Sequence, residues 1–359
     1  SLLVDELASL GLECRAVTGA VEVEVTPFTL ALIHVHCRLA SKVMLEVGAS
    51  GAGSLDALSQ GARKVPWQMF FEDVSAIRIQ VDLKGSRLKQ KAAIEKKMRW
   101  AIGDTLSVQR RRGGSSWHRR GKKSQELFIR VKGQKAWFSL NASGEFLYRR
   151  GWRQHVSQAP IRENLAAAML AFAQWSPDEP LVDPMCGSGT IPIEAGTIAQ
   201  GIAPGLHRAF GFEDWPCHEP KHLESIRHAA AAESVLGDTL ILGGDKNERA
   251  IQAAIHNVAQ VGLTDHVFFQ CSPFKALQSP GQPGLILTSP PYGHRIGDQQ
   301  GLGDMYAHLG RVLKQRWTGW RVAMLVPDLR VKSRIGIPME PIATFKNGGL
   351  PVWLLMGRV

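Results

Sequence analysis

The chain has 359 residues, of which 44% are hydrophobic and 21% are charged, and its formal net charge is +11. This composition is typical of a globular protein and excludes a disordered, collagen-like or coiled-coil chain, while the length predicts two or three domains. No apolar run approaches the roughly 20 residues that a membrane span needs. No basic segment leads an apolar one at the start of the chain, so we expect neither a membrane anchor nor a signal peptide.

The five cysteines are far apart in the sequence and form no CxxC pair. This spacing argues against a disulfide framework and against a cysteine zinc site. We therefore expect a cytoplasmic protein with no metal, and nothing in the sequence indicates an obligate protein partner.

Residues 1–65 form the first predicted domain. They combine a predicted helix, Leu2–Leu10, with two short apolar runs, Val21–Val25 and Leu30–Val35. Residues 66–153 form the second predicted domain, a small α+β module. Its predicted elements are a strand, a basic helix and two further strands, at Ile77–Val81, Lys89–Ile102, Leu127–Val131 and Ala136–Leu140.

The positive charge is concentrated in this second region. Between Lys84 and Arg153 there are 20 basic and four acidic residues, a local net charge of +16, whereas the rest of the chain has a net charge of −5. Glycines and serines favour a loop that can follow a phosphate backbone, and a tryptophan offers a face on which a base can stack. The block predicts nucleic-acid binding rather than a merely solvated loop. The candidate contacts are Arg110, Arg111, Arg112, Trp117, Arg119, Arg120, Lys122 and Lys123.

Residues 154–359 form the third predicted domain, in which strands and helices alternate. The predicted strands include Leu181–Asp183, Leu285–Thr288 and Arg321–Val326. Such alternation is typical of a parallel, doubly wound α/β sheet. The tail, Pro341–Val359, is instead predicted to form two strands that turn at residues 347–349, an antiparallel end on the parallel sheet.

A glycine-rich segment follows the first strand of this region and has the form of a cofactor loop. Its candidate ligand-binding residues are Asp183, Met185, Cys186, Gly187, Ser188, Gly189 and Thr190. The two glycines allow a tight turn and a close approach of the backbone to a ligand. Pro192 stands where a dinucleotide fingerprint has a third small residue, and Asp245 lies too far along the chain for the ribose-binding acid of that fingerprint. This argues against an NAD enzyme, and the absence of Gly-Lys-Ser/Thr excludes a P-loop.

A second motif follows the strand Leu285–Thr288 and consists of Ser289, Pro290, Pro291 and Tyr292. The prolines fix the backbone, so that a carbonyl and the serine side chain can point into a site, and the tyrosine supplies an aromatic face. Such a site suits a flat heterocycle with an exocyclic amine. The alternative is an ordinary proline turn that ends a strand. Because the motif occurs in the same α/β region as the glycine-rich loop, a ligand-binding site is favoured.

These motifs together resemble those of the THUMP-domain RNA guanine-N2 methyltransferases, and most of all the first methyltransferase module of the bacterial large-subunit rRNA enzymes. The specific motifs are APIRENLAAA at 159–168, DPMCGSGTIPIEA at 183–195, APGLHR at 203–208 and KNG at 346–348, and weaker matches lie at 37–42 and 143–151. The resemblance implies an α/β fold: a Rossmann-like class I methyltransferase domain preceded by an α+β ferredoxin-like and THUMP region.

The resemblance also implies a cofactor, S-adenosylmethionine (AdoMet), and a structured RNA substrate. It implies that residues 183–190 and Asp245, with Lys246 and Ser272, bind the cofactor, and that residues 289–292 are catalytic. Asn347 is a further candidate contact with the base. Two departures from the family pattern stand out: Ser289 replaces the usual Asn, and Ser272 replaces an acid expected beside the adenine.

Three other functions remain open from the sequence. The first is methylation of guanine N2 in tRNA rather than in 23S rRNA. The second is methylation of cytosine N4 or adenine N6 in DNA, which the form of the serine-proline motif suggests and the basic second region disfavours. The third is a non-catalytic RNA-binding or assembly protein that retains the fold, against which the intact glycine-rich loop argues.

Overall fold

Three β-sheets organise the part of the chain that the computed structural model describes, residues 1–111, 124–155, 160–232, 239–291 and 299–359. The first is a two-stranded hairpin, the second has four strands and the third has seven. The first two lie in the N-terminal part of the chain, and the third carries the glycine-rich loop.

The N-terminal part opens with helix α1 (Leu2–Ser9), the hairpin β1 (Cys14–Val17) and β2 (Ala20–Val23), and helix α2 (Pro27–His36). Helix α2 begins where Thr26 and Thr29 form a reciprocal capping box and Pro27 takes the first helical turn. The apolar run Leu30–Val35 is therefore one buried segment of a helix.

The four-stranded sheet has the order β3-β6-β5-β4, with β3 at Met44–Gly51, β4 at Ile77–Lys84, β5 at Gln125–Lys132 and β6 at Lys135–Asn141. Strands β4 and β5 are parallel, and helix α4 (Lys91–Arg111) lies between them in the chain. Helix α3 (Leu55–Ala62) and two 3₁₀ turns, Trp67–Met69 and Val74–Ala76, complete this part. The predicted strands and basic helix of residues 66–153 are thus confirmed. Because β3 pairs with β6, residues on both sides of position 65 share one sheet.

The seven-stranded sheet has the order β12-β13-β11-β10-β7-β8-β9. Strands β7 to β11 are parallel, and β13 joins antiparallel to both β11 and β12. The predicted parallel sheet with an antiparallel end is confirmed. The strands are β7 (Leu181–Asp183), β8 (Ile241–Asp245), β9 (Val267–Cys271), β10 (Leu285–Thr288), β11 (Arg321–Val326), β12 (Met339–Asn347) and β13 (Leu350–Arg358).

Helices cover this sheet and connect its parallel strands. Buried apolar side chains fill the spaces on both faces in two separate clusters. The helices are α5 (Glu163–Phe172), α6 (Thr190–Ala199), α8 (Glu248–Ala259), α9 (Gln299–Arg316) and α10 (Val331–Ile335). Helix α7 (Pro220–Ala232) and a 3₁₀ turn at Gly211–Asp214 lie between α6 and β8, and their buried side chains belong to the N-terminal core. Among the helices of the described ranges, none has the length and apolar character that a membrane span requires.

The segment between α6 and β8 does not pack on the seven-stranded sheet. Its side chains Phe210, Phe212 and Trp215 belong to the apolar core of the N-terminal part. Backbone hydrogen bonds fix the same contact, since the Gly205 N–H donates to the Val35 carbonyl at 2.9 Å and the Phe212 N–H to the Ala142 carbonyl at 2.9 Å. The two parts of the chain are therefore joined by a shared core.

Strand order places the candidate site. From β7 the chain moves outward through β8 and β9, then returns to the other side of β7 as β10. Ligands of open α/β sheets bind at such a reversal, beyond the carboxyl ends of the strands. Strands β7 and β10 are direct neighbours, with Val182 opposite Ile286. The glycine-rich loop and the serine-proline motif therefore leave the same edge of the sheet side by side.

Candidate active site

The loop after β7 turns back tightly over the end of β8. The Cys186 N–H donates to the Gly244 carbonyl at 2.9 Å, and the Gly189 N–H donates to the Cys186 carbonyl at 2.9 Å. Gly187 and Gly189 have φ angles of +54° and +85°. L-residues with side chains rarely adopt these angles, so the turn depends on glycine at both positions. The loop then runs into helix α6, which begins at Thr190.

Asp245 is fixed at the end of β8 beside this loop. Its Oδ2 accepts the Gly187 N–H at 3.0 Å, and its Oδ1 accepts the Asn247 N–H at 2.8 Å. Each oxygen keeps a further lone pair, so the carboxylate is oriented but can still accept hydroxyl donors. The next residue, Lys246, is exposed.

Asp183, the last residue of β7, is 2% exposed. Burial raises the pKa of its carboxyl to about 7, and the charge of Asp245 adds to that rise, while the neighbouring Thr288 hydroxyl and the Met185 N–H lower the pKa. The Met185 N–H donates to its Oδ1 at 3.1 Å. Asp183 is thus an acid shielded from water at the start of the glycine-rich loop.

Cys186 and Ser188 are buried small residues within the loop. Burial, with the charges of Asp183 and Asp245, raises the pKa of the Cys186 thiol well above its usual range. A protonated thiol is a poor nucleophile, so Cys186 is a packing residue here.

Ser272 follows β9 and is buried. Its N–H donates to the Asp245 carbonyl at 2.9 Å, and its hydroxyl donates to the Pro273 carbonyl at 3.3 Å. Ser272 therefore lies beside Asp245, the acid of β8, and its hydroxyl is hydrogen-bonded within its own turn. Its predicted role beside the adenine stays a prediction.

The serine-proline motif follows β10 directly. Ser289 is half-buried, Pro290 is buried and Pro291 is exposed. The catalytic residue Tyr292 predicted from the sequence lies outside the described residues. The motif thus presents one hydroxyl and the adjoining backbone at the edge where the glycine-rich loop turns.

Asn347 stands at the end of β12, at the turn between β12 and β13. Strand β12 runs parallel to β11 because both are antiparallel to β13. Val326, the last residue of β11, pairs with Trp353 of β13, and Trp353 pairs with Thr344 of β12. Thr344 is therefore level with the end of β11, and Asn347 lies three residues beyond it. The turn therefore extends past the same edge of the sheet as the serine-proline motif.

Of the predicted nucleic-acid contacts, Arg110 and Arg111 occupy the end of helix α4 rather than a loop, because the helix continues through position 111. The other members of that set, Arg112, Trp117, Arg119, Arg120, Lys122 and Lys123, lie outside the described residues. Their role stays a prediction.

Two residues outside the motifs form hydrogen bonds to the glycine-rich loop and to the start of helix α6. Asn257, fully buried on α8, donates through Nδ2 to the Ser188 carbonyl at 3.2 Å and to the His155 carbonyl at 2.9 Å. The Arg153 guanidinium donates to the Thr190 hydroxyl at 2.8 Å and lies 3.2 Å from Glu163. An Asn on the apolar face of a helix is a signal that the sequence does offer.

The chemistry of this donor set fits AdoMet. Asp245 accepts hydrogen bonds from the Gly187 and Asn247 N–H groups and, among the described residues, forms no ion pair with a basic side chain, so the site carries an acid that suits a sulfonium cation. Asp245 has free lone pairs for ribose hydroxyls, and the turn residues Gly187 and Gly189 allow close approach of the ligand.

Comparison with known proteins agrees with this geometry. The sequence profile of a family described as “RMKL-like, methyltransferase domain” matches residues 150–344. A Synechocystis sp. protein named “Putative RNA methyltransferase slr0064” is 32% identical over 90% of this chain and 84% of its own length. A Methylococcus capsulatus protein, “Ribosomal RNA large subunit methyltransferase K/L”, is 31% identical over 99% of this chain and 49% of its own length. The chain thus spans about half the length of the K/L relatives that it matches.

Two crystal structures are similar over nearly the whole chain. One, described as “SMU.472, a putative methyltransferase complexed with SAH”, has a TM-score of 0.87 and 28% identity, and the match covers 99% of this chain and 94% of that one. A predicted N6-adenine-specific DNA methylase from Listeria monocytogenes has a TM-score of 0.85 and 28% identity, and the match covers 98% and 92%. The predicted Rossmann-like α/β methyltransferase fold and the predicted cofactor, AdoMet, are confirmed. The profile match, which covers more than half of the chain, and the matching relatives lead to one conclusion: the chain belongs to the RMKL-like methyltransferase family.

Proposed function

We propose that this RNA methyltransferase transfers the methyl group of AdoMet to the exocyclic N2 of a guanine, and that the guanine lies in 23S rRNA. The observation that carries the proposal is the juxtaposition of two motifs: the serine-proline motif after β10 and the glycine-rich loop after β7 leave neighbouring strands. The K/L relatives, whose name specifies the large ribosomal subunit, support the choice of substrate. An enzyme with this substrate in a bacterium acts in the cytoplasm.

When bound, AdoMet would supply a methyl group on a positively charged sulfur: attack by the N2 lone pair would break the S–CH3 bond and release S-adenosylhomocysteine, and the methylated nitrogen would lose one proton to solvent. The chain's part is to orient both reactants. Asp245, which the Gly187 N–H orients, would accept hydrogen bonds from the ribose hydroxyls, and the backbone turn at Gly187 and Gly189 would allow the ligand to approach closely.

Guanine N2 needs assistance because its lone pair is delocalised into the ring. Two acceptors at the end of β10, the Ser289 hydroxyl and the Pro290 carbonyl, take hydrogen bonds from the two N2–H groups. These bonds draw the lone pair out of conjugation and direct it at the methyl group. Catalysis then comes from orientation and a fixed polar environment, without a covalent nucleophile. Tyr292 stacks on the flipped base.

We assign three domains to the chain, namely a ferredoxin-like region at 1–65, a THUMP RNA-binding domain at 66–153 and the methyltransferase domain at 154–359. The parallel β4-α4-β5 unit, the +16 charge of the block from Lys84 to Arg153 and the resemblance support the RNA-binding assignment. The first two regions share the four-stranded sheet through β3.

The test is methyl transfer to ribosomal RNA by Ser289→Ala and Pro290→Ala, with nucleoside mass spectrometry of the product. We expect kcat to fall at least about a hundredfold for Ser289→Ala with the AdoMet Kd unchanged, since the lost acceptor acts on the base. Ser289→Asn, which restores the residue usual in the family, keeps activity. The exposed Ser333 provides the control variant Ser333→Ala. Near-normal rates in both Ser289→Ala and Pro290→Ala would refute the assignment.

The same measurement separates the rival functions. The Listeria relative, whose name specifies N6-adenine in DNA, and the form of residues 289–291 favour DNA amino-methylation as the second candidate. Methylated adenine or cytosine in a DNA substrate, with no N2-methylguanine in RNA, would establish that candidate. N2-methylguanine in tRNA alone would establish the tRNA alternative, and a calorimetric titration without AdoMet binding would indicate a non-catalytic protein.

A further inference from the structure

A cavity of about 300 Å³ lies between helix α5, the end of β12 and the N-terminal part of the chain. We call it the interdomain groove and define it by Ser41, Arg162, Leu165, Phe172, Phe345 and Lys346. The mechanism proposed above uses none of these side chains. A volume of this size is at the lower end of those that hold small ligands, and it is ample for one nucleobase.

The floor of the interdomain groove is apolar and aromatic. Leu165 and Phe172 stand seven residues apart on α5 and so share one face of that helix. Phe172 is 37% exposed, and its ring centroid lies 5.6 Å from that of Phe345, with the two rings at 72°. The exposed Phe172 ring, fixed by an edge-to-face contact with the half-buried Phe345 ring, offers a preformed surface for a flat ligand.

Two cations stand at the rim of the groove. Arg162 immediately precedes α5, and Lys346 is exposed near the end of β12. Within the described ranges, neither side chain forms an ion pair with an acid. Cations without carboxylate partners beside aromatic rings are the combination that binds single-stranded nucleic acid.

An aromatic column continues from the groove onto the N-terminal part. The Arg162 guanidinium lies 5.5 Å from the centroid of the Tyr148 ring, and Tyr148 stacks on Phe146 at 5.0 Å with an interplanar angle of 16°. The Lys42 ammonium lies 4.7 Å from the centroid of the Phe146 ring. Arg162 thus lies at the end of the aromatic column that meets the groove, and Lys42 lies at its other end.

The groove is also connected to the candidate active site. Arg162 follows Ile161, whose carbonyl accepts a hydrogen bond from Arg153 at 2.9 Å, and Arg153 also contacts Thr190 at the start of α6. On the opposite side, Lys346 immediately precedes Asn347, the candidate base contact. Both walls therefore reach toward the edge of the sheet where the reaction is proposed to occur.

We propose that the interdomain groove binds an unpaired RNA nucleotide that flanks the methylated guanine. This inference rests on the proposed function. The phenylalanine rings contact the base, and Arg162 and Lys346 neutralise the phosphates on its two sides. A target guanine in a single-stranded segment or loop is flanked by nucleotides that are themselves unpaired, and the groove holds one of them beside the candidate active site.

The test compares RNA affinity in matched variants. Phe172→Leu keeps an apolar contact with Phe345 but removes a ring, and Lys346→Gln removes a charge. We expect each to raise the RNA Kd roughly tenfold in fluorescence anisotropy, because stacking on one base or contact with one phosphate is lost. Lys346→Gln also lowers the slope of log K against log salt concentration by about 0.7. The AdoMet Kd, measured by calorimetry, stays at the wild-type value.

Control variants carry the same chemical changes elsewhere. Phe268 on β9 is 47% exposed, and Lys314 is exposed near the end of α9. Phe268→Leu and Lys314→Gln therefore report the effect of losing an exposed ring or a charge as such. We expect both to leave the RNA Kd unchanged.

Photo-crosslinking to RNA that carries 4-thiouridine next to the target guanine gives an independent readout. We expect cross-linked peptides from α5 or from the turn between β12 and β13. Unchanged RNA affinity in both groove variants, or cross-links confined to other segments, overturns the proposal while the wild type remains active. If the wild type methylates no RNA, the proposed function itself has failed.

Discussion

At the scale of single residues, Gly189 shows how the sequence allows a tight turn in the glycine-rich loop. It ends the glycine-rich loop with φ +85° and caps helix α6. A Cβ at this position would lie 2.8 Å from the Phe269 ring and 3.1 Å from Ala254. The backbone angle and the close packing thus independently exclude a side chain, and the resulting tight turn brings the Gly187 N–H onto Asp245.

Gly189→Ala is expected to destabilise the fold by about 2–4 kcal/mol, because the strain of a left-handed alanine adds to overpacking against Phe269. We also expect the AdoMet Kd to rise at least about tenfold, since the loop must shift. The matched control is Gly262→Ala, at φ +69° with nothing within 4 Å of the added Cβ. Strain alone should cost that variant about 1 kcal/mol and leave AdoMet affinity intact. Urea unfolding and calorimetry measure both quantities, and equal effects in the two variants would contradict this account.

Asp183 makes a prediction about pH. Burial raises the pKa of its carboxyl from 3.8 to about 7 in the folded protein. Because the folded state holds this proton more tightly than the unfolded state, the corresponding stability is fully present below 3.8 and is lost as the pH rises through about 7. Asp183→Asn cannot ionise and still accepts the Met185 N–H through Oδ1.

We therefore expect Asp183→Asn to gain stability relative to the wild type as the pH rises between about 4 and 7, at up to about 1.4 kcal/mol per pH unit. Above about pH 8 the difference should be constant. Urea unfolding at a series of pH values measures the difference in the free energy of unfolding between the two proteins. The contributions of the other titrating groups are the same in both and cancel. Parallel pH profiles for the two proteins would show that Asp183 is not the titrating group.

At the scale of elements, helix α6 is fixed at both ends by arginines. Arg153 bonds Thr190 in its first turn. Near its last turn, Arg38 from the N-terminal part donates to the Thr197 carbonyl at 3.2 Å and to the Ile202 carbonyl, and its Nη1 lies 3.2 Å from Glu194. A cation at a helix C-terminus also interacts favourably with the helix dipole. The helix that follows the cofactor loop is thus held by the N-terminal part of the chain.

Arg38→Ala is expected to lower the free energy of unfolding by about 3–5 kcal/mol, because it leaves the buried Glu194 with fewer partners and uncaps carbonyls of α6. Arg15→Ala is the control: Arg15 pairs with Glu22 at 2.6 Å, but both side chains are largely exposed, at 78% and 59%. Loss of that exposed pair should change stability by less than about 1 kcal/mol. Chemical denaturation followed by tryptophan fluorescence measures both, and similar losses would mean that the Arg38 contacts are not stabilising.

The elements nearest the candidate site could be predicted from the sequence. Strands β7, β10 and β11 have the predicted bounds, because strands buried on both faces of a parallel sheet form uninterrupted apolar runs. The short helix α10 and the extension of α4 over Arg110 and Arg111 could not be predicted. Their limits depend on packing and on local capping rather than on a long apolar period.

The motifs of the candidate site could be predicted from the sequence, but the residues that hold those motifs in place could not. Ser289 and the glycine-rich loop stand out by unusual local composition, and strand order then brings them together. Asn257 and Arg153 act through contacts across 102 and 37 positions of the chain, respectively. The sequence can draw attention to Asn257 as an Asn on the apolar face of a helix, but no spacing rule identifies the partners of Asn257 or Arg153, which only the folded chain shows.

At the scale of the whole molecule, the two parts of the chain share a core but differ in charge. The segment 203–215 carries aromatic side chains from the methyltransferase sheet into the N-terminal core, so the two parts form one body. The block from Lys84 to Arg153 carries a net charge of +16, although the remainder of the chain is slightly acidic. The proposed RNA-binding block and the proposed reaction site therefore belong to different parts of the chain.

This division predicts that the location of the charge, rather than its total, determines RNA binding. Replacing Arg110, Arg111 and Arg112 with glutamine should lower the slope of log K against log salt concentration by about 2–3, because up to three phosphate contacts are lost. The same substitutions at Arg311, Lys314 and Arg316, exposed residues of α9, change the net charge equally and should leave the slope nearly unchanged. AdoMet affinity should remain constant in both proteins. Equal slopes in the two triple variants would show that RNA responds only to the net charge of +11.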